Sequence, residues 1–147
     1  MPAYLLDTNL LLYAHDHREP VKQVRALELI ERLGDGLSAA LSAQNLAEFA
    51  NVALKRLSPP LSPAEVTEQL DLLERMFVVY PLTPAVVREA VRGVGTHRLS
   101  YYDAQVWAVA KLNQVTIVLS EDFSTGATLE GVLFLNPLEP GFDLAGL

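Results

Sequence analysis

Val115-Thr-Ile-Val-Leu119 constrains the fold of this chain more than any other stretch. The run is β-branched and aliphatic, with no alternation of apolar and polar positions. It therefore reads as a strand covered on both faces, as in the interior of a parallel sheet. Just before it, Tyr101 to Asn113 is apolar nearly all round, through Ala104, Val106, Trp107, Ala108, Val109, Ala110 and Leu112. A helix of that kind is buried on most sides. A strand and a helix that both lack a solvent face require a layered arrangement, with a sheet packed between helices.

The rest of the chain supplies the other layers. Ala3 to Leu6 predicts a short buried strand ending at Asp7, and Thr8 to Ala14 a short helix. From Glu19 to Leu33, Val21, Val24, Leu27, Ile30 and Leu33 recur at three-residue steps, predicting an amphipathic helix stopped by Gly34 and Gly36. Leu37 to Leu41 suits a second strand. Ala43 to Leu57 is helical in period through Leu46, Phe49, Ala50, Ala53 and Leu57, and Ser58 to Pro63 breaks it. Pro63 suits the first turn of a helix capped by Ser62 and running to about Met76 on Val66, Leu70 and Leu73. Phe77 to Tyr80 predicts a strand, and Thr83-Pro84 opens a helix on Val86, Val87, Ala90, Val91 and Val94. Val132 to Leu135 predicts the last strand, followed by an irregular tail rich in Pro and Gly. Strands separated by helices predict an α/β fold with a mainly parallel sheet. The length of 147 residues suits one domain, residues 1–147.

Composition narrows the function. Half of the residues are hydrophobic and 20% charged, which is a globular balance. Without cysteine, a disulfide scaffold, a thiolate zinc site and a cysteine nucleophile are excluded. No apolar run approaches the roughly 18 residues that cross a bilayer, and the start lacks a basic n-region, so a cytoplasmic protein with no membrane partner is expected. Net charge is −7, from 11 Lys+Arg against 18 Asp+Glu. Proteins that grip nucleic acid by phosphate neutralisation are basic. An acidic one can still act on phosphodiesters where metal ions supply positive charge.

Four acids stand out. Open parallel sheets place ligands beyond the carboxyl ends of their strands. Asp7 follows the first strand, and Glu121-Asp122 follows the 115–119 strand after Ser120. Asp103 opens the buried helix, and Glu48 lies in the helix from 43. Each has a simpler reading: Asp7 as a helix N-cap, Asp103 as a capping-box partner of Ser100, Asp122 as a loop acid, Glu48 on a solvated face with Gln44, Asn51 and Lys55. Taken together they suit Mg²⁺ or Mn²⁺, which prefer carboxylate oxygen and retain water. Such a site activates water and stabilises a leaving oxygen.

Leu6-Asp7-Thr8-Asn9 with Leu10 to Ala14, then Ala47-Glu48-Phe49, then Ser100 to Ala104, then Leu119 to Phe123, resemble the successive motifs of toxin-type PIN domains, ribonucleases of bacterial toxin–antitoxin pairs. The order and spacing match over nearly the whole chain. The resemblance implies a three-layer α/β/α fold with a central parallel sheet, and a Mg²⁺- or Mn²⁺-dependent endoribonuclease. It maps the family's acidic residues onto Asp7, Glu48, Asp103 and Asp122. The family's hydroxyl near the last acid falls on Ser120, and the polar residue after the first acid on Thr8 or Asn9. It also implies an RNA substrate, a homodimer and a cognate antitoxin protein. Either Glu121 or Asp122 can face the metal.

His15, His17 and His97 are expected as ordinary surface histidines, Tyr101 and Tyr102 as core packing or base-stacking groups. Arg18, Lys22, Lys55, Arg56 and Arg98 are candidate RNA contacts. Apolar residues around the helices at 19–33 and 43–57 are candidates for an antitoxin groove, from which an Arg or Lys could reach the acids. A phosphatase of the haloacid dehalogenase type needs an Asp where this chain has Asn9, and a response-regulator receiver needs a pair of acids at the first strand, where only Asp7 stands. The rival that remains is a non-catalytic PIN-like module binding RNA or protein, which metal titration separates from the enzyme.

Overall fold

The computed structural model describes residues 2–34 and 37–147. Gly36, one of the two expected helix stops, lies outside them. The elements run β1 (Tyr4–Leu6), α1 (Thr8–Tyr13), α2 (Pro20–Leu33), β2 (Ala39–Ser42), α3 (Ala43–Lys55), α4 (Pro63–Met76), β3 (Val78–Tyr80), α5 (Pro84–His97), α6 (Tyr101–Leu112), β4 (Ile117–Leu119), β5 (Thr128–Leu129) and β6 (Val132–Leu135). Among the described residues the strands form one sheet in the order β3-β2-β1-β4-β6-β5. All pairings are parallel except β5 with β6.

Two helical layers enclose this sheet, as the period of two along each strand requires. Leu5 of β1, Ala40 of β2 and Val118 of β4 face one core with Ala90 of α5 and Trp107 of α6. Their neighbours Leu6, Leu41 and Leu119 face the other, with Leu10, Leu29, Phe49 and Leu73 of α1 to α4. The fold is thus a three-layer α/β/α sandwich with a mainly parallel sheet, as expected. The tail packs back on α2, where Arg25 donates to the carbonyls of Pro137 and Phe142 at 2.9 and 2.8 Å.

Local chemistry sets the boundaries. Ser62 caps α4 with a reciprocal capping box to Glu65, and Thr83 caps α5. Leu37, expected to begin the second strand, has φ +58° and lies outside β2. The strand β5 was not expected. Its two residues are too short to carry a period, and it forms only as one side of the turn through Glu130 and Gly131.

The apolar stripe expected to bury α2 is corrected by the structure. Val21, Val24 and Leu27 face solvent, Ile30 is half-buried and only Leu33 of the expected stripe is fully buried, with Ala26 and Leu29 taking the other inner positions. On α5, Val86, Ala90 and Gly93 are buried, whereas Val87, Val91 and Val94 are exposed. Both helices have apolar residues on two faces, so periodicity alone does not choose the inner one.

Candidate metal centre

The sheet reverses its direction of growth at β1. Its connection through α1 and α2 leads to β2 on one side, while β4 pairs on the other. Such a switch point opens a crevice beyond the strand ends. Asp7 and Ser120 are the residues that leave β1 and β4 there. The Asp7 amide donates to the Leu119 carbonyl at 2.9 Å, which carries the pairing one residue past the strand.

Asp7 is buried and both its oxygens are held. Oδ1 accepts from the Thr8 amide at 2.8 Å and Oδ2 from the Ser120 hydroxyl at 2.7 Å. The capping role and the site geometry therefore coexist, one on each oxygen. Ser120 Oγ in turn accepts from the Asp122 amide at 3.0 Å. Thr8 Oγ1 accepts from Asn45 Nδ2 at 3.0 Å, and Asn45 belongs to the capping box that starts α3 at Ser42. The cap of α3 thus fixes the residue beside Asp7. Asn45 was not singled out from sequence; the Ser42-x-x-Asn45 spacing has the form of a helix cap, with nothing to link it to Thr8.

Asp103 stands in the first turn of α6. The Ser100 side chain makes no capping bond, so the capping-box reading of Ser100 and Asp103 does not hold. One carboxylate oxygen from each of Asp7, Asp103 and Asp122 lies within 4.8 Å of the other two. Burial pushes the Asp7 carboxyl up to about 6, against the hydrogen bonds from Ser120 and Thr8, and the Asp122 and Asp103 charges add to the rise. Burial also raises Asp122, with the Asp103, Glu121 and Glu48 charges adding to it.

Glu48 lies across the crevice, outside that close group, and accepts a hydrogen bond from Gln44. With Asp7, Asn9 and Asp122 it lines a cavity of about 230 Å³. Asn9 lines the same cavity, and its buried side-chain nitrogen and oxygen have no hydrogen-bond partner, although the amide lies near enough to Asp122 to ease that carboxyl's ionisation. Glu121 turns away. It accepts from Tyr13 OH at 2.6 Å and pairs with Lys22 Nζ at 2.6 Å. Burial works to raise the Glu121 carboxyl, but these two bonds together hold it below its usual range. Of the two adjacent acids, Asp122 is the one with Asp7 and Asp103.

The donor set fits a hard divalent cation. Three carboxylates converge from three elements, and an unpartnered amide faces the same cavity. A cation there would offset both the mutual repulsion and the burial penalty at Asp7.

The remaining candidates lie apart. His17 is exposed, and half-buried His15 packs against Phe49 with ring centroids 5.6 Å apart. His97 is also half-buried, against Trp107 and Glu130, so neither it nor His15 is a plain surface histidine. Arg18 pairs with Asp16 and Lys22 with Glu121, while Lys55, Arg56 and Arg98 are exposed. Gln44 and Gln105 are buried beside the crevice and hydrogen-bonded to each other. Gln105 was not singled out from sequence, because its helix reads as apolar all round.

The family model described as PIN domain matches residues 4–124. Among solved structures, the chain is similar to a toxin–antitoxin complex from Klebsiella pneumoniae, with 17% identity, TM-score 0.64 and coverage of 91% of this chain and 97% of that one. It is similar to DNA-bound VapBC from Salmonella typhimurium, with 15% identity, TM-score 0.65 and coverage of 93% and 99%. It is also similar to the sarcin-ricin loop cleaving toxin VapC20 of Mycobacterium tuberculosis, with 19% identity, TM-score 0.61 and coverage of 86% and 97%. At these identities the likeness is one of fold. No curated protein matches the sequence.

Proposed function

Because this chain belongs to the PIN-domain family, we propose that it is a divalent-metal-dependent endoribonuclease, the toxin of a toxin–antitoxin pair. One observation carries this reading: one oxygen from each of Asp7, Asp103 and Asp122 lies within 4.8 Å of the other two at the switch point of the sheet. The fold neighbours support it. They include a toxin described as cleaving the sarcin-ricin loop and complexes of toxin with antitoxin.

In this reading Asp7, Asp103 and Asp122 hold Mg²⁺ or Mn²⁺, with Glu48 as a further ligand from across the crevice. When bound, the metal supplies a Lewis acid and a nucleophilic water for in-line attack on the phosphodiester. The chain's own groups set the geometry. Ser120 and the Thr8 amide fix the two oxygens of Asp7, and Ser120 also fixes the backbone of Asp122. Asn9 offers an amide to the ligands or their waters. No side chain needs to form a covalent intermediate.

The whole chain, 1–147, acts as one PIN domain in the cytoplasm, as a homodimer with a protein antitoxin as partner. Supporting the antitoxin is an apolar cavity of about 480 Å³ between α2 and α4, floored by Leu11 and Phe49 and flanked by Leu27 and Leu72. No helix is long and apolar enough to cross a membrane among the described residues.

The test is cleavage of a mixed RNA pool by the purified protein with Mn²⁺ or Mg²⁺ and with EDTA, beside Asp7→Asn. Cleavage that needs both metal and Asp7 is expected. Cleavage that survives in Asp7→Asn would overturn the assignment, and Mn²⁺ binding indifferent to the carboxylates would leave a binding module.

A further inference from the structure

A second cavity, of about 620 Å³, lies beside the carboxylates. Glu48 and Asn51 stand in the walls of both spaces, so the two share a partition. Tyr101 and Tyr102 form one side, edge to face with centroids 5.3 Å apart. Tyr102 is 64% exposed, at the start of the most buried helix in the chain. Leu82 and Val87, both exposed, add apolar surface to the lining.

The lining also contains buried amides. Gln44 and Gln105 are 7% and 3% exposed. Gln105 Nε2 donates to Gln44 Oε1, and Gln44 Nε2 donates to Glu48 Oε1. Each amide uses one of its two N–H donors in this chain of bonds, and the Gln105 carbonyl takes no part in it. A cavity with an open aromatic face, apolar walls and spare amide donors and acceptors matches a flat heterocycle with a hydrogen-bonding edge. Unpaired bases of single-stranded RNA are held in this way, by stacking and by edge contacts. At net charge −7 the protein gains little by neutralising phosphates, so base contacts have to fix the strand's register.

We propose that this cavity is a nucleobase subsite. It takes one unpaired base of the RNA strand next to the phosphate that a cation bound by Asp7, Asp103 and Asp122 would hold, with Tyr102 as stacking face and the Gln44 and Gln105 amides reading the base edge. The inference rests on the ribonuclease reading for the identity of its ligand.

The test has two arms on the full chain. In the first, ¹⁵N-labelled protein is titrated with 5′-AMP, GMP, CMP and UMP in Mg²⁺, as wild type, Tyr102→Ala and Tyr102→Phe. At least one nucleotide should shift the amides of Tyr101 to Gln105 and the Gln44 side chain. Tyr102→Ala should weaken that binding at least tenfold, and Tyr102→Phe, which keeps the ring, should restore it. In the second arm the same proteins cut a random RNA pool. Wild-type product ends should be enriched in the base bound tightest, and Tyr102→Ala should flatten that preference. No shift with any nucleotide, or equal binding by Tyr102→Ala, overturns the subsite. So does a Tyr102→Ala effect confined to oligomeric state in sedimentation, which makes this face a contact between copies. A pool cut without dependence on Tyr102 defeats the subsite and leaves the nuclease standing. Nucleotide binding that depends on Tyr102, with the pool uncut in either metal, defeats the nuclease and leaves the base site.

Discussion

The Ser120 hydroxyl donates to Asp7 Oδ2 at 2.7 Å across 113 residues of sequence, tying the end of β4 to the end of β1. Ser120 Oγ also accepts from the Asp122 amide, so one hydroxyl orients two acids. Ser120→Ala removes both contacts without changing any carboxylate. Mn²⁺ affinity should fall by about 10- to 100-fold, the usual cost of losing a partner that orients a metal ligand. The Asp7 carboxyl should titrate above its present value of about 6, since that hydrogen bond pulls it down. Carboxyl-carbon NMR and isothermal titration read the two effects separately.

Asp7 also makes stability depend on pH in metal-free protein. Its folded pKa, about 6, lies above the ordinary 3.8. Between those values the native state keeps a proton that the unfolded chain releases, so stability falls as pH rises through the window and is level above it. The loss amounts to about 3 kcal/mol. Asp122 is shifted in the same direction and adds to it. Denaturant titrations from pH 4 to 8 should show this decline in wild type and a flatter profile in Asp7→Asn. Saturating Mn²⁺ should remove most of the decline, because a metal binding only the native state stabilises it.

The two adjacent acids should separate cleanly. Glu121→Gln breaks the Lys22 pair, which is partly exposed, and should cost about 1 kcal/mol or less. It should leave Mn²⁺ affinity within a few-fold. Asp122→Asn removes a member of the carboxylate group and should lower that affinity by more than tenfold. Equal effects of the two substitutions in a metal titration would contradict the orientation described for Glu121.

A prediction far from the acids tests the layer that carries Asp103. A Cβ at Gly93 would meet the Trp107 ring at 2.7 and 2.9 Å. Trp107 is fully buried and cannot swing away, so Gly93→Ala should destabilise by about 1–3 kcal/mol, seen as a lower thermal midpoint.

Much of this was legible in the sequence. The run at 115–119 announced an interior strand, and β4 does lie between β1 and β6. The acids after strand ends announced a crevice, because that position is set by topology. Two kinds of information were absent. Helices with apolar residues on both faces do not say which face is inner: Val21, Val24 and Leu27 belong to the cleaner period on α2, yet they are exposed while Ala26 and Leu29, outside that period, are buried. Contacts between side chains far apart in sequence leave no periodic signal. Tyr13 with Glu121 and Asn45 with Thr8 are of that kind, and so is the separation of Glu121 from Asp122.

The central claim is that Asp7, Asp103 and Asp122 together hold a divalent cation. Anomalous diffraction from crystals grown with Mn²⁺ tests it most directly. The account predicts a peak bonded to oxygens of all three carboxylates, lost in Asp103→Asn. A peak elsewhere, or none at the three carboxylates under saturating Mn²⁺, would contradict it.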